Sequence, residues 1–397
     1  MDRNNDVTAG ERKLSFEEVV EYDKKYFMNL FARTPVCFER GEGTVLYAQD
    51  GKAYLDFLGG IAVNALGHSH PAIVGAICAQ AEKFIHCSNL YYIEPQARLA
   101  RALVEISCAD KVFFTNSGAE ANEAALKLAK IYQYKAGKTQ KTRIVTALNS
   151  FHGRTLATVA ATGQVKYQKP YEPLIPGFTH VPFNDIDALR DAADADTTCA
   201  VMLELIQGES GVHIADPEYM RAVAKLCEER DILLIFDEVQ TGLGRTGKLF
   251  AYEHYGVEPD IFTLAKALGA GFPIGAMLAK ERVAQAFAPG DHGSTFAGNP
   301  LACAVGNASV GLILKEKLHE AAAEKGAYMI EKLTALKSGY PVIKEVRGKG
   351  LMVAVECSEP IALAAKQKLF EAGCLVGSVG DHILRWLPPL TVTHAEI

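Results

Sequence analysis

The amino-acid sequence predicts an α/β fold, with a large domain on a mainly parallel sheet and a small α+β domain beside it. Three observations carry this. From about residue 70, short apolar runs alternate with helical patterns, as in a sheet covered on both faces. Two of those runs end on chemistry-bearing residues: 232–236 leads into Asp237, and 261–264 leads through Ala265 to Lys266. Beyond Pro300 the alternation gives way to a long helical stretch followed by isolated strands.

In chain order, residues 1–15 are polar and expected to be disordered, and 16–31 carries a short amphipathic helical pattern. Residues 39–56 alternate around Asp50-Gly51, a hairpin signal. We assign 16–69 to an N-terminal segment that contributes to the small domain. The large domain, 70–300, takes strands at 111–115, 143–147, 200–205, 232–236, 261–264 and 274–278, with helices between most of them. The small domain, 301–397, starts with the long helical stretch. A turn and exposed-edge strand follow at 342–356, then a helix near 360–372 and a strand around 383–386. No internal repeat or low-complexity linker interrupts the chain.

Composition narrows the function. A chain of 397 residues, 49% hydrophobic and 22% charged, has the make-up of a soluble globular enzyme with a substantial core. A net charge of −6 gives no reason to expect nucleic-acid binding. No apolar run approaches a membrane span. The start lacks a secretory apolar core, and Asp2, Asp6 and Glu11 argue against a transit peptide, so the cytoplasm is the expected location. Nine scattered cysteines without a Cys-x-x-Cys pair read as reduced thiols. His68-Ser69-His70-Pro71 reads as turn chemistry, and no metal is expected.

The chemistry-bearing motifs sit at strand ends, where ligands gather in such sheets. Asp237 and Lys266, delivered by neighbouring strands, suit pyridoxal 5′-phosphate: the cofactor needs a lysine for attachment and an acid for its ring nitrogen. A structural Asp–Lys pair is the alternative. Ser117-Gly118-Ala119 opens a helix after strand 111–115, so free N–H groups and the helix dipole suit a phosphate. The same turn could be only a cap. In 149–155, Phe151 or His152 could stack on a flat ring, and Arg154 could bind a substrate carboxylate. Glu204 and Glu209 flank a glycine turn after another strand, and each carboxylate needs a partner there. Ser294 and Thr295, before the long helix, could reach a phosphate or cap that helix.

Taken in order, Ser117-Gly118-Ala119-Glu120-Ala121-Asn122, Phe151-His152-Gly153-Arg154, Asp237-Glu238-Val239-Gln240-Thr241-Gly242, Lys266 and Gly293-Ser294-Thr295 resemble the class III pyridoxal-phosphate aminotransferases. The resemblance runs from Glu39 to Thr391 and implies a fold-type-I transferase. It implies that Lys266 carries the cofactor and moves the substrate proton, and that Asp237 meets the pyridine nitrogen. Gln240 would meet the ring hydroxyl, Val239 would face Phe151 across the ring, and Ser117, Gly118 and Ala119 would hold the phosphate. Thr295 would reach that phosphate from the other subunit of a homodimer with shared active sites. Arg154, Glu209, Ser294 and Arg385 are the implied substrate-binding residues, with Glu209 masking Arg385. Family members continue past His394-Ala395-Glu396-Ile397 into a final helix, so a shortened small domain is expected.

The stretches 60–68, 88–92 and 384–391 resemble the branch of this family that takes N2-acetylornithine as amino donor. That implies transfer of its terminal amino group to 2-oxoglutarate, giving N-acetylglutamate semialdehyde and glutamate, a step of arginine biosynthesis. Ornithine, succinylornithine, succinyl-diaminopimelate and 4-aminobutyrate are the rival donors within the family. A racemase, aminomutase or decarboxylase using the same cofactor is the rival from another class, because fold does not fix reaction.

Overall fold

The computed structural model describes residues 12–397, so the expectation of disorder for 1–15 falls mostly outside the described residues. The first described helix, Phe16–Tyr26, starts at a reciprocal cap: Ser15 accepts from Glu18 N–H while the Glu18 carboxylate accepts from Ser15 N–H. It buries no residue and stops where Phe27 turns extended, earlier than the helical pattern to residue 31 suggests.

Seven strands form the large sheet, in the order Lys111–Thr115, Gly275–Ala279, Ile261–Leu264, Leu233–Asp237, Thr198–Glu204, Arg143–Ala147, Phe178–Val181. Six run parallel; Gly275–Ala279 is antiparallel to both neighbours. The central strands Leu233–Asp237 and Thr198–Glu204 are buried along their whole length, which is why they read as unbroken apolar runs. Phe178–Val181 was not anticipated: four residues including Thr179 and His180 carry too little apolar periodicity to announce an edge strand. Helix Gly118–Lys135 crosses one face of the sheet and buries Ala121, Ala124, Ala125, Leu128 and Ala129.

Two smaller sheets flank this body. Phe38–Glu42, Val45–Ala48 and Ala53–Asp56 form an antiparallel meander whose last strand pairs in parallel with Cys374–Leu375. The other sheet runs Ile343–Lys349, Met352–Cys357, Ile383–Trp386, Gly377–Val379. Residues 342–356 are therefore a hairpin rather than one exposed-edge strand, and its second arm is interior and almost wholly buried. The helical stretch after Pro300 is two helices, Pro300–Lys315 and Leu318–Ala335, broken where Lys317 takes a left-handed conformation. Between the hairpin Ile206–Gln207/His213–Ile214 lies a turn, 208–212, that projects from the large sheet towards the strand Ile383–Trp386. We propose the boundaries 16–69, 70–300 and 301–397 on this sheet membership.

Candidate active site

A cavity of about 440 Å³ opens at the carboxyl ends of the parallel strands. Five of the six parallel strands end by delivering one part of it. After Thr115 come Ser117, Gly118 and Ala119; after Ala147, Phe151 and Arg154; after Thr198–Glu204, Glu209; then Asp237 with Val239 and Gln240, and finally Lys266. All of these line the one cavity, and Val63 adds an apolar wall from the N-terminal segment.

Asp237 is 5% exposed and is held from three sides. Oδ1 accepts from Val239 N–H at 3.0 Å, and Oδ2 accepts from Asn122 Nδ2 at 2.8 Å and contacts His152 Nδ1 at 2.8 Å. Asn122 is fixed in turn by Thr263 Oγ1, which donates to Asn122 Oδ1 at 2.7 Å. Both residues of the pair Phe151-His152 border the cavity, but the His152 ring is fully enclosed and bonded to Asp237, which leaves Phe151 as the candidate to stack. Asn122 and His152 are the supporting residues that sequence reasoning missed. Asn122 does stand in the helix-start motif, but nothing in its spacing points at Asp237.

Glu204 lies beside Asp237 in register and accepts from Phe151 N–H at 2.8 Å. Burial first, then the facing Asp237, pushes its carboxyl well above the usual range. Burial also lowers the Lys266 ammonium to about 8, against the pull of Glu209. Lys266 has φ +40° and its amine makes no side-chain hydrogen bond with the described residues.

Across the cavity rim, Arg385 Nη1 donates to Glu209 Oε1 at 2.8 Å and to Gly208 O at 2.7 Å. Arg385 is 4% exposed and its Nε is buried without a partner among the described residues. Burial raises the Glu209 carboxyl, but Arg385 and Lys266 outweigh it and hold the group below the usual range. Gln240 Nε2 also donates to Glu209, at 3.3 Å. Arg154 is exposed, with its guanidinium 3.8 Å from the Tyr167 ring centre and no carboxylate partner among the described residues.

Two predicted residues stand apart. Ser294 and Thr295 do not line this cavity; they line a neighbouring one, and Thr295 is exposed. Ser294 Oγ touches the site only through Asn116, whose Nδ2 donates to it at 3.1 Å. His68 and His70 serve the fold: His68 Nε2 bonds Asp56 at 2.8 Å, and His70 Nδ1 accepts from Ala72 N–H at 3.2 Å.

The residues fit pyridoxal phosphate on the chemistry of the donor set. The first N–H groups of an 18-residue helix face the cavity at Ser117-Gly118-Ala119, where a dianion is favoured. At Gly118 a Cβ would come within 2.7 Å of Val239, so the helix start and the Val239 wall meet only because that residue is glycine. A buried carboxylate with fixed donors and a lysine with a lowered pKa complete the set.

The comparisons agree with this geometry. The family model "Aminotransferase class-III" matches residues 28–397. An acetylornithine aminotransferase of Caldanaerobacter subterraneus subsp. tengcongensis is 55% identical over 379 residues, 96% of either chain. The solved acetylornithine aminotransferase of Elizabethkingia anophelis superposes with a TM-score of 0.86 at 35% identity, covering 97% of this chain and 96% of that one. An ornithine aminotransferase of Toxoplasma gondii, in which pyridoxal phosphate partly occupies the active site, gives a TM-score of 0.91 at 34% identity over 96% and 91% of the two chains. Strand order, cavity and family match lead to one conclusion: the chain belongs to the class III aminotransferases, which use pyridoxal phosphate.

Proposed function

We propose that this aminotransferase moves the terminal amino group of N2-acetylornithine to 2-oxoglutarate, giving N-acetylglutamate semialdehyde and glutamate, a step of arginine biosynthesis. The observation that carries the reading is the Arg385–Glu209 pair at 2.8 Å on the rim of the cavity that holds Lys266. A transaminase that alternates between a donor with one carboxylate and an acceptor with two needs an arginine it can cover and uncover. The names of its relatives point the same way.

Bound here, pyridoxal phosphate supplies an electron sink for the charge left when the substrate carbon loses its proton. The chain's residues do the rest. Asp237, braced by Asn122 and His152, would hold a proton at the ring nitrogen. Ser117, Gly118 and Ala119 would hold the cofactor's phosphate, Gln240 would meet its ring hydroxyl, and Phe151 and Val239 would flank its ring. Lys266, with an amine that is partly neutral near pH 8, takes the proton from the substrate carbon and returns it. Arg154, its guanidinium free of any carboxylate among the described residues, binds the α-carboxylate of acetylornithine or the side-chain carboxylate of glutamate. Glu209 covers Arg385 in the first half-reaction and yields it to the α-carboxylate of glutamate in the second.

Thr295 and Ser294 complete the site from a second copy of the chain in a homodimer. In support, Thr295 and the adjacent Phe296 are exposed, Phe296 at 62%, as are the apolar side chains of Leu90 at 86% and Tyr91 at 68%. No described helix is long and apolar enough to cross a membrane, and we place the enzyme in the cytoplasm.

Free ornithine is the less favoured donor, because the wall that the N-terminal segment adds is Val63, which offers nothing to an α-ammonium. A donor panel with 2-oxoglutarate tests the reading. N2-acetylornithine should exceed ornithine and 4-aminobutyrate in kcat/KM by at least roughly tenfold, while succinylated donors fall closer. A preference for ornithine would overturn it.

A further inference from the structure

We propose that Arg347 is a positioning residue for substrate discrimination: it anchors the far end of the turn that carries Glu209 and so holds Glu209 over Arg385. The proposal rests on the reading of Glu209 and Arg385 as the carboxylate switch. It concerns a residue outside the cavity, which Arg347 does not line.

The turn 208–212 is gripped at both ends by arginines from the same small sheet. At the near end, Arg385 of strand Ile383–Trp386 bonds Gly208 O and Glu209. At the far end, Arg347 of strand Ile343–Lys349 donates from Nε to Gly211 O at 2.9 Å and Val212 O at 3.2 Å, and from Nη2 to Gly211 O at 2.7 Å. Its remaining nitrogen, Nη1, is tied to Glu345 at 2.7 Å and Glu356 at 2.6 Å. The Arg347 side chain is 10% exposed, far more enclosed than a surface ion pair of that strand requires. Lys344 and Arg347 together hold the Glu356 carboxyl down to about 2, so the anchor stays charged at neutral pH.

The turn needs such a hold. Val212 sits at φ +59°, a left-handed conformation that a β-branched residue adopts only when its surroundings enforce it. The base of the turn is held by the two residue pairs of the short hairpin Ile206–Gln207/His213–Ile214, with Val212 N–H donating to Gln207 O at 2.9 Å and Ala215 N–H to Leu205 O at 3.0 Å. At Gly211, φ +125°, a Cβ would come within 2.5 Å of Ile383 and 3.2 Å of the Arg347 guanidinium, so the close approach of the anchor depends on glycine. On the other side of the anchor lies a polar space of about 630 Å³ lined by His213, Glu345, Arg347 and Glu356, room into which a released turn can relax. With Arg347 in place, Glu209 can leave Arg385 by side-chain rotation while its backbone stays put. Without Arg347, the turn drifts and Glu209 covers Arg385 only part of the time.

The test compares single-turnover half-reactions of the holoenzyme with N2-acetylornithine and with glutamate, in wild type, Glu209→Ala, Arg347→Ala, Arg347→Lys and the Glu209→Ala/Arg347→Ala double variant. Arg347→Ala should weaken the acetylornithine half-reaction about tenfold, mainly in apparent KM, and leave the glutamate half-reaction within about twofold. Arg347→Lys, which keeps the charge but not the forked geometry, should recover part of the loss. In the Glu209→Ala background, removing Arg347 should cost less than about twofold more, because its effect runs through Glu209. If Arg347→Ala does not accumulate as folded protein, Glu356→Gln loosens the same anchor and should show a smaller split of the same sign. Equal losses in both halves, or full additivity with Glu209→Ala, would overturn the positioning role while leaving the switch standing. A Glu209→Ala variant that shows no split overturns the switch itself, and the proposal with it.

Discussion

Lys266 is the residue whose environment matters most to the chemistry, and its backbone is part of that environment. A φ of +40° at a lysine is unfavourable by roughly 1–3 kcal/mol and persists only where surrounding structure enforces it. Burial lowers its ammonium from the ordinary 10.5 to about 8. Between those two values the unfolded chain holds a proton that the folded protein does not. Lys266 therefore makes the cofactor-free protein more stable as pH rises through that window, and destabilises it below about 8. An amine-selective reagent should accordingly modify Lys266 of the cofactor-free protein with a midpoint near pH 8, read by peptide mass spectrometry. A midpoint near 10.5 would remove the argument that burial prepares the amine. Asp237 makes the complementary case. Asp237→Asn keeps the shape but can no longer serve Asn122 and His152 while holding a proton at a ring nitrogen. The half-reaction rate should fall by roughly a hundredfold or more, about 3 kcal/mol, with the cofactor still bound. Near wild-type single-turnover rates would place the ring-nitrogen partner elsewhere.

At the scale of elements, the site depends on how closely a helix start, a strand start and a strand-end loop can approach. Gly275 opens its strand directly under the phosphate turn, where a Cβ would meet Ser117 O at 2.5 Å. Gly118 opens helix Gly118–Lys135 against Val239, where a Cβ would meet both methyl groups at 2.7 and 2.9 Å. Gly118→Ala should therefore displace Val239 or the helix start, lowering stability by about 1–3 kcal/mol and cofactor affinity with it. Ser117→Ala removes the cap to Glu120 N–H, about 1 kcal/mol, together with a hydroxyl in the same turn, so it too should lower both the thermal melt and the cofactor affinity, by less than Gly118→Ala. Unchanged cofactor affinity in Gly118→Ala would show that the close approach is not needed. These elements were legible because buried strands are continuous apolar runs and each ends on a polar residue with a task. What escaped had no such signature. Phe178–Val181 is short and half polar, and the hold of Arg347 on the glycine turn 208–212 joins residues more than a hundred positions apart. Phe151 and His152 are adjacent aromatics, and only the packing shows that the His152 ring is enclosed and bonded to Asp237.

For the whole molecule, the decisive question is whether one chain holds a complete site. Asp237, Lys266, Arg154, Ser117, Gly118 and Ala119 converge in one chain because strand ends of a single sheet deliver them. Arg385 joins from a different sheet, through a contact that reaches Glu209 across the rim. Thr295, which the resemblance places with the phosphate of the other subunit, and Ser294, which it places with the substrate, lie outside the cavity of their own chain. Subunit mixing decides it. Take one inactive variant, Lys266→Ala, and a second in which Thr295→Glu repels the phosphate. If Thr295 acts across a dimer interface, each hybrid dimer contains one site with an intact lysine and an intact Thr295 from the other copy. Random reassortment should then restore activity to roughly a quarter of the wild-type sites, since hybrids are about half of all dimers and each carries one good site. If each chain builds its own site, every site keeps one lesion and mixing restores nothing. Recovery that appears only after denaturation and joint refolding, or on co-expression, would further show that the copies do not exchange once folded.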